Sequence, residues 1–459
     1  MIAMKLRAAC EVLTRAGALF CCGVASAALP IQHWTQPSGA QVYLVESPAI
    51  PMVDLRVDFD AGSRRDPPAQ AGLATVMAAS LADGVRASQH GSVREKTLDE
   101  NALGEAWADL GAAFSAGASQ DRLSVSLRSL TDPDLLDQAV ALAARELGEP
   151  AFPAATWLRD RPKWIAALKE ADTRPTTLAG RAFGQAVYGG HPYGQEMTPA
   201  TLMRIRVQDL AALHARLLRA CHARVSVVGA VSRTQTDALV ARLLARLPQN
   251  GCAALPAVPE VAPLAQARQI DLAFPSAQAH VLIGQPGYRR ADPDHLALMV
   301  GNYILGGGGF GSRLTEEVRE RRGLSYSVDS QFAPGLHAGA FTISLQTRPD
   351  QAGAALELAR TVLKRFVEEG PTEAELQAAK DHLIGGFPLQ LDGNAKLLES
   401  VANIAWNGLP LDYLDHWAEQ VQRLSVADVR AAMARVLQPE RMVTVVLGAQ
   451  AARAAESIR

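Results

Sequence analysis

The sequence predicts an α+β fold made of two similar domains, each an antiparallel-rich sheet with helices packed on one face. Three observations lead there. Apolar and polar residues alternate where Val53, Leu55, Val57 and Phe59 interleave with Asp54, Arg56 and Asp58, the signature of a strand with one buried face. The same alternation returns at Leu123, Val125 and Leu127, and again at Phe341, Ile343 and Leu345. Helical stretches such as Leu98 to Leu110 and Ala352 to Glu369 lie between these runs, an arrangement that favours helices layered on a sheet. Finally, the chain repeats itself: Arg204 to Gly229 aligns without gaps onto Arg423 to Gly448 at an offset of 219, with nine identical positions. Each copy reads as a helix followed by a short apolar strand, so a duplicated domain is the economical explanation.

Taken in chain order, the first element is a leader. Lys5, Arg7 and Arg15 precede the apolar stretch Ala16 to Val24, which ends in Ala25-Ser26-Ala27. That order is expected of a secretory signal peptide over residues 1–27, with a mitochondrial transit peptide as the competing reading. The apolar part is too short to serve as a membrane anchor. The first domain is expected over 28–250 and a linker over 251–268, where Pro256, Pro259 and Pro263 sit among Ala and Val without periodicity. The second domain follows over 269–459. Within it the helix Ala352 to Glu369 stops at Gly370-Pro371, and Thr372 with Glu375 forms a capping box for the next helix.

Composition narrows the function classes. At 459 residues the chain is long enough for two to four packing units on a prior of roughly 150 residues each. A formal charge of −2 and the absence of like-charge blocks argue against a nucleic-acid or anionic-membrane partner. Loss of the leader would leave Cys221 and Cys252 as the remaining cysteines. In an oxidising compartment these are expected to pair, although spacing alone does not show that they meet. Two thiols cannot build a structural zinc site.

Three segments carry a family pattern. Ala61-Gly-Ser-Arg-Arg-Asp-Pro-Pro-Ala-Gln-Ala-Gly-Leu-Ala74 lies in the first half, followed by Tyr188-Gly-Gly-His-Pro-Tyr-Gly194. Leu305-Gly-Gly-Gly-Gly-Phe-Gly-Ser-Arg-Leu314 lies in the second, continuing through Arg319 to Arg322-Gly-Leu-Ser-Tyr326. In this order, on a duplicated chain, they resemble the pitrilysin/insulinase zinc metallopeptidases, including the mitochondrial-processing-peptidase type, over almost the whole chain. The resemblance implies that the two domains form one half of a metallopeptidase clamshell.

One departure is plain. Active members of that family carry His-x-x-Glu-His directly after Gly-Leu-Ala, two imidazoles one helical turn apart for zinc and a glutamate to activate the bound water. Here the segment reads Thr75-Val76-Met77-Ala78-Ala79, so Thr75 and Ala79 take the ligand places and Ala78 that of the base. The family's third ligand, a downstream glutamate, is expected within Trp157 to Ala171, where Glu170 is the only glutamate. No two of the ten histidines are four apart, and no Gly-x-Ser-x-Gly elbow or phosphate loop occurs. The expectation is a chain that binds no metal itself and is inactive alone.

In two-chain members of the family one subunit brings the zinc and the other completes the substrate chamber. The resemblance implies that second role: a heteromeric partner for a zinc-bearing paralogue, acting on unstructured peptides, with Arg313 and Tyr326 as the residues that hold substrate. From spacing alone, Arg313 could equally pair with Glu316 or Glu317, and Tyr326 could be a packed strand residue. A scaffold or peptide-binding protein with no role in proteolysis is the alternative from another class, and a homodimer is a third.

Overall fold

The computed structural model describes residues 30–90, 92–249 and 251–448; the expected signal peptide, 1–27, lies outside them. The first half contributes β1 (Gln32–Thr35), β2 (Gln41–Glu46) and β3 (Met52–Phe59). Two short ribbons follow, β4 (Gly84–Val85) paired with β7 (Leu98–Asp99) and β5 (Ser88–His90) paired with β6 (Val93–Glu95). Then come β8 (Ala113–Ala118), β9 (Leu123–Leu130) and β10 (Arg224–Gly229). Six of these strands form a sheet in the order β1-β2-β10-β3-β9-β8, antiparallel except where β10 meets β2. The second half supplies β11 (Arg268–Leu272), β12 (Ala279–Pro286), β13 (Ser327–Phe332), β14 (Ala340–Thr347) and β15 (Val443–Leu447). They run β11-β15-β12-β14-β13, again antiparallel except for β15 with β11. Five strands of the first sheet therefore repeat in the second with the same order and the same parallel pair.

The expected strands fall in β3, β9 and β14, and the helix Ala352–Glu369 forms with its expected limits. The expected helix from Leu98 begins two residues later, at Glu100. Leu98 and Asp99 instead pair with β4, and the Asp99 carboxylate caps the helix by accepting from the Ala102 N–H at 2.9 Å. Residues 251–267 contain no helix or strand, and Arg268, the last residue of the expected linker, opens β11.

Helices Pro133–Gly148, Val207–Leu217 and Arg233–Leu244 cover one face of the first sheet, where Val53, Leu55, Val57 and Phe59 are buried with Leu123, Val125 and Leu127. Removing such side chains from water stabilises the fold by about 1.5–3 kcal/mol each. The opposite face holds a feature that alternation could not announce. Helix Asn394–Asn407, from the second half, lies across β2, β3 and β10 of the first. Leu397, Leu398, Val401 and Ile404 pack there with Ile31, Val45 and Val228. Asp58, expected on a solvated face, is buried beneath it. Its charge is met by Arg56 at 3.0 Å and Ser124 at 2.5 Å, while Arg56 also reaches Glu399 on the visiting helix.

The exchange is reciprocal. Helix Pro175–Tyr188, from the first half, packs against β12 and β15 of the second. Its limits start and end 219 residues before those of Asn394–Asn407, the same offset as the sequence repeat. Ala179, Phe183 and Val187 sit with Ala340, Val443, Val445 and Leu447. Phe183 comes so close to β12 that a Cβ on Gly284 would lie 2.7 Å from its ring and 2.0 Å from the Phe341 carbonyl, so only glycine fits there. Phe183→Ala is expected to lower the unfolding free energy in a urea titration by about 3–5 kcal/mol. Phe310→Ala, at a side chain 71 % exposed, should change it by less than about 0.5 kcal/mol.

Candidate functional site

The stretch Ala61 to Ala74 builds a rigid approach to one short helix, Leu73–Ala79. Gly62 lies against the backbone of Asp121 and Arg122, where a Cβ would come within 2.4 Å of a carbonyl carbon. Arg64, buried, binds Asp60 at 2.7 Å and Asp121 at 2.9 Å. Asp66, also buried, accepts from the N–H groups of Gly72 and Ala74, both at 2.9 Å, and so anchors the first turn of the helix. Burial outweighs those bonds and pushes its carboxyl up to about 6. Gly72 takes the left-handed conformation at φ 100°, with Met197 packed where a side chain would be.

On this helix Thr75 is half-buried, Ala78 is buried and Ala79 is exposed. Ala79 opens onto a cavity of about 190 Å³ walled also by Val76, Ser80, Asp83, Trp157, Asp160, Lys163 and Trp164. Glu170, the glutamate expected to mark the lost third ligand, is exposed at the far end of helix Ala154–Ala171 and does not line the cavity. Two carboxylates do, Asp83 and Asp160. Asp160 is on the same helix face as Trp157 and Trp164, a spacing of three and four residues that the sequence displays. Asp160 is gripped by Arg159 and Lys163, both at 2.6 Å, and these bonds hold its carboxyl down at about 2. Trp157 fills the adjoining core and donates from Nε1 to the Ile205 carbonyl at 3.0 Å. This donor set does not fit zinc. Thr75, Ala78 and Ala79 offer no imidazole or carboxylate, and among the described residues no three His, Cys, Asp or Glu side chains converge to hold a metal.

Beside the helix runs β8, the outer strand of the first sheet. Phe114, Ala116 and Ala118 turn toward the core, while Ala113, Ser115 and Gly117 are exposed. Its six residues carry no charge and no proline, the features that usually protect a sheet edge from pairing with another strand.

In the second half, the glycine run ends one wide π-helical turn, Tyr303–Gly307, and continues through the short turn Gly309–Gly311 toward a second, Thr315–Glu320. Gly306 lies against Ser330, and Gly309 has φ 60°. Arg313, expected to hold substrate, is engaged internally. Its guanidinium makes a bidentate pair with Glu375 at 2.6 and 2.7 Å, donates to the Gly370 carbonyl at 3.0 Å, and lies 5.0 Å from the Phe366 ring centre. Neither Glu316 nor Glu317 is its partner; both bind Arg321. Tyr326 is 79 % exposed, and the arginine beside it is Arg319. That guanidinium sits between two aromatic rings, 5.1 Å from Tyr326 and 4.6 Å from Phe310. Sequence reasoning missed Arg319 and Phe310. The turn between the π-helical segments decides which of two arginines six residues apart faces Tyr326, and nothing in the spacing reveals it.

Cys221 and Cys252 are joined by a disulfide, with Cα atoms 6.0 Å apart. Among the described residues no helix is long and apolar enough to cross a membrane.

Comparison with known proteins agrees with this architecture. A family profile described as the peptidase M16 inactive domain matches residues 204–383. A solved structure described as a peptidase M16 inactive domain from Pseudomonas fluorescens is 36 % identical, with a TM-score of 0.85, covering 91 % of this chain and 98 % of that one. A Helicobacter pylori protein described as the non-peptidase homolog YmxG is 26 % identical over 412 residues, 89 % of this chain and 91 % of its own length. A Streptomyces coelicolor protein described as an uncharacterized zinc protease is 32 % identical over 220 residues, 46 % of this chain and 47 % of its own. The chain belongs to the peptidase M16 family, the group that its sequence motifs resemble. Within that family it stands with the non-catalytic members, since the scaffold of the metal helix persists while its metal donors are replaced.

The Arg313–Glu375 pair makes a stability prediction with a defined pH sense. Burial would raise the Glu375 carboxyl, but hydrogen bonds from Arg313 and Thr372 prevail and hold it near 2. A carboxyl depressed by folding contributes stability above its unfolded value, and that contribution is lost as pH falls through the folded value. Arg313→Gln is therefore expected to cost about 3 kcal/mol at pH 7. In urea titrations the deficit should shrink steadily between about pH 4.5 and pH 2.

Proposed function

We propose that this chain is an exported, non-catalytic subunit that pairs with a zinc-bearing M16 relative and completes that partner's peptide-binding chamber. The observation that carries the reading is the combination at one place of a helix without metal donors and an unprotected sheet edge. β8 offers backbone N–H and C=O groups along its free side. An extended peptide added to that edge would be held through its main chain, with little demand on its sequence.

Arg319 and Tyr326 supply the second contact. A guanidinium and a phenol both donate hydrogen bonds to a peptide carbonyl. Arg319 takes the role first assigned to Arg313, because Arg313 is bound to Glu375 and Gly370 while Arg319 stands beside the exposed phenol. Phe310 adds an exposed apolar face next to them. Export is supported by the leader pattern of residues 1–27 and by the disulfide, since such bonds persist in oxidising compartments. Zinc belongs in this reading to the partner alone.

Copurification of the tagged chain from its own source, followed by peptide cleavage with and without the captured relative, tests the pairing. Turnover and bound zinc are expected only in the complex; absence of an M16 relative would favour a scaffold. In the assembled complex, Arg319→Ala combined with Tyr326→Phe is expected to lower kcat/KM by about 10²-fold without moving the unfolding midpoint. Unchanged turnover would remove this pair from peptide binding.

A further inference from the structure

The segment joining the halves has no helix or strand, and most of it is exposed, yet it is fastened at intervals to both halves. Cys252 is bonded to Cys221, in the turn that leads into β10. Arg65 donates to the Pro256 carbonyl, and His191 Nε2 lies 2.8 Å from the Pro259 carbonyl. Both of these residues belong to the first half. Glu260 then turns to the second half, 3.2 Å from His337 and 3.5 Å from Arg289. Val261 is buried, and Leu264 packs into the cluster around Phe183. Two cavities, of about 440 and 360 Å³, share Glu260, Pro263 and Leu264 as walls. The segment thus meets the body at discrete points and not along its length.

The halves do not need this segment to stay together. Beyond the exchanged helices, the β13–β14 hairpin of the second half is bound directly by the first. Asp121 accepts from the Leu336 N–H at 2.9 Å, Tyr193 Oη from the His337 N–H at 3.2 Å, and Tyr188 Oη from the Ala340 N–H at 2.9 Å. Tyr193 in turn donates to Asp121 at 2.6 Å.

We propose that residues 251–260 form a redox-sensitive strap whose hold on the first half depends on the Cys221–Cys252 bond. A dithiol reductant would supply two electrons and two protons. The sulfur–sulfur bond breaks, Cys221 and Cys252 become thiols, and the reductant leaves as its own disulfide. What then remains on the first-half side is the half-buried Leu255 against the first core and a pair of hydrogen bonds to backbone carbonyls, each of modest net strength. The strap lifts over the two cavities while the seam between the halves stays closed.

Limited digestion of the full chain by elastase, which accepts the Ala and Val residues of the strap, reads this directly. Cleavage within 251–267, followed by mass spectrometry, is expected to be about tenfold faster after reduction, because cleavage tracks the open population. The nicked halves should still co-elute at native size, with far-ultraviolet circular dichroism unchanged. Cys252→Ser, at an exposed position, should show the fast rate without reductant and no further response to it. Equal cleavage rates in oxidised, reduced and variant protein would overturn the proposal. So would loss of the dichroism signal on reduction, which would make the disulfide a support of the whole fold and not a local tether.

Discussion

Everything in this molecule depends on the exchange of one helix in each direction between its halves. Neither sheet is covered on both faces by its own half. Pro175–Tyr188 closes the second sheet at Gly284, and Asn394–Asn407 closes the first over Asp58. The second contact is partly polar. Glu399 meets Arg56 and Arg122, and the Trp406 ring lies between the guanidiniums of Arg122 and Arg224, at 5.6 and 5.1 Å. A buried aspartate such as Asp58 is tolerable because two guanidiniums and a hydroxyl meet its carboxylate. Those groups, Arg56, Arg122 and Ser124, all come from the first half, while the visiting helix covers the site and engages the same two arginines through Glu399. The two halves therefore stabilise each other and hold β8 and Tyr326 on one framework.

The degenerate helix separates scaffold from chemistry. Asp66, Gly72, Gly62 and Arg64 serve the turn that presents Leu73–Ala79, and they do so whatever stands at 75, 78 and 79. With Thr75, Ala78 and Ala79 at these positions the helix carries no imidazole or carboxylate there, while its first turn and its packing beside β8 are kept.

Much of the architecture was legible because it follows from local periodicity. The alternation at Val53 to Phe59 gave β3, and Thr372 with Glu375 gave the capping box that opens helix Glu373–Gly386. The offset between the copies gave the duplication, and it also relates the exchanged helices. Tertiary partners were not legible. Glu375 was visible as a capping residue, but its pairing with Arg313 crosses 62 positions. Asp58 read as solvated because the helix that buries it comes from the other half. Asp160 was passed over because the expectation called for a glutamate, although its spacing from Trp157 and Trp164 places all three on one face.

The claim most in need of a direct test is that β8 receives peptide. Hydrogen–deuterium exchange over Ala113–Ala118, in the complex with its zinc-bearing relative and with an unstructured peptide added under conditions that block cleavage, reads the edge amides themselves. The account predicts that outward-facing amides of β8 become protected when peptide is present, together with slower exchange around Tyr326. Unchanged exchange across β8 while peptide is demonstrably bound to the complex would contradict it.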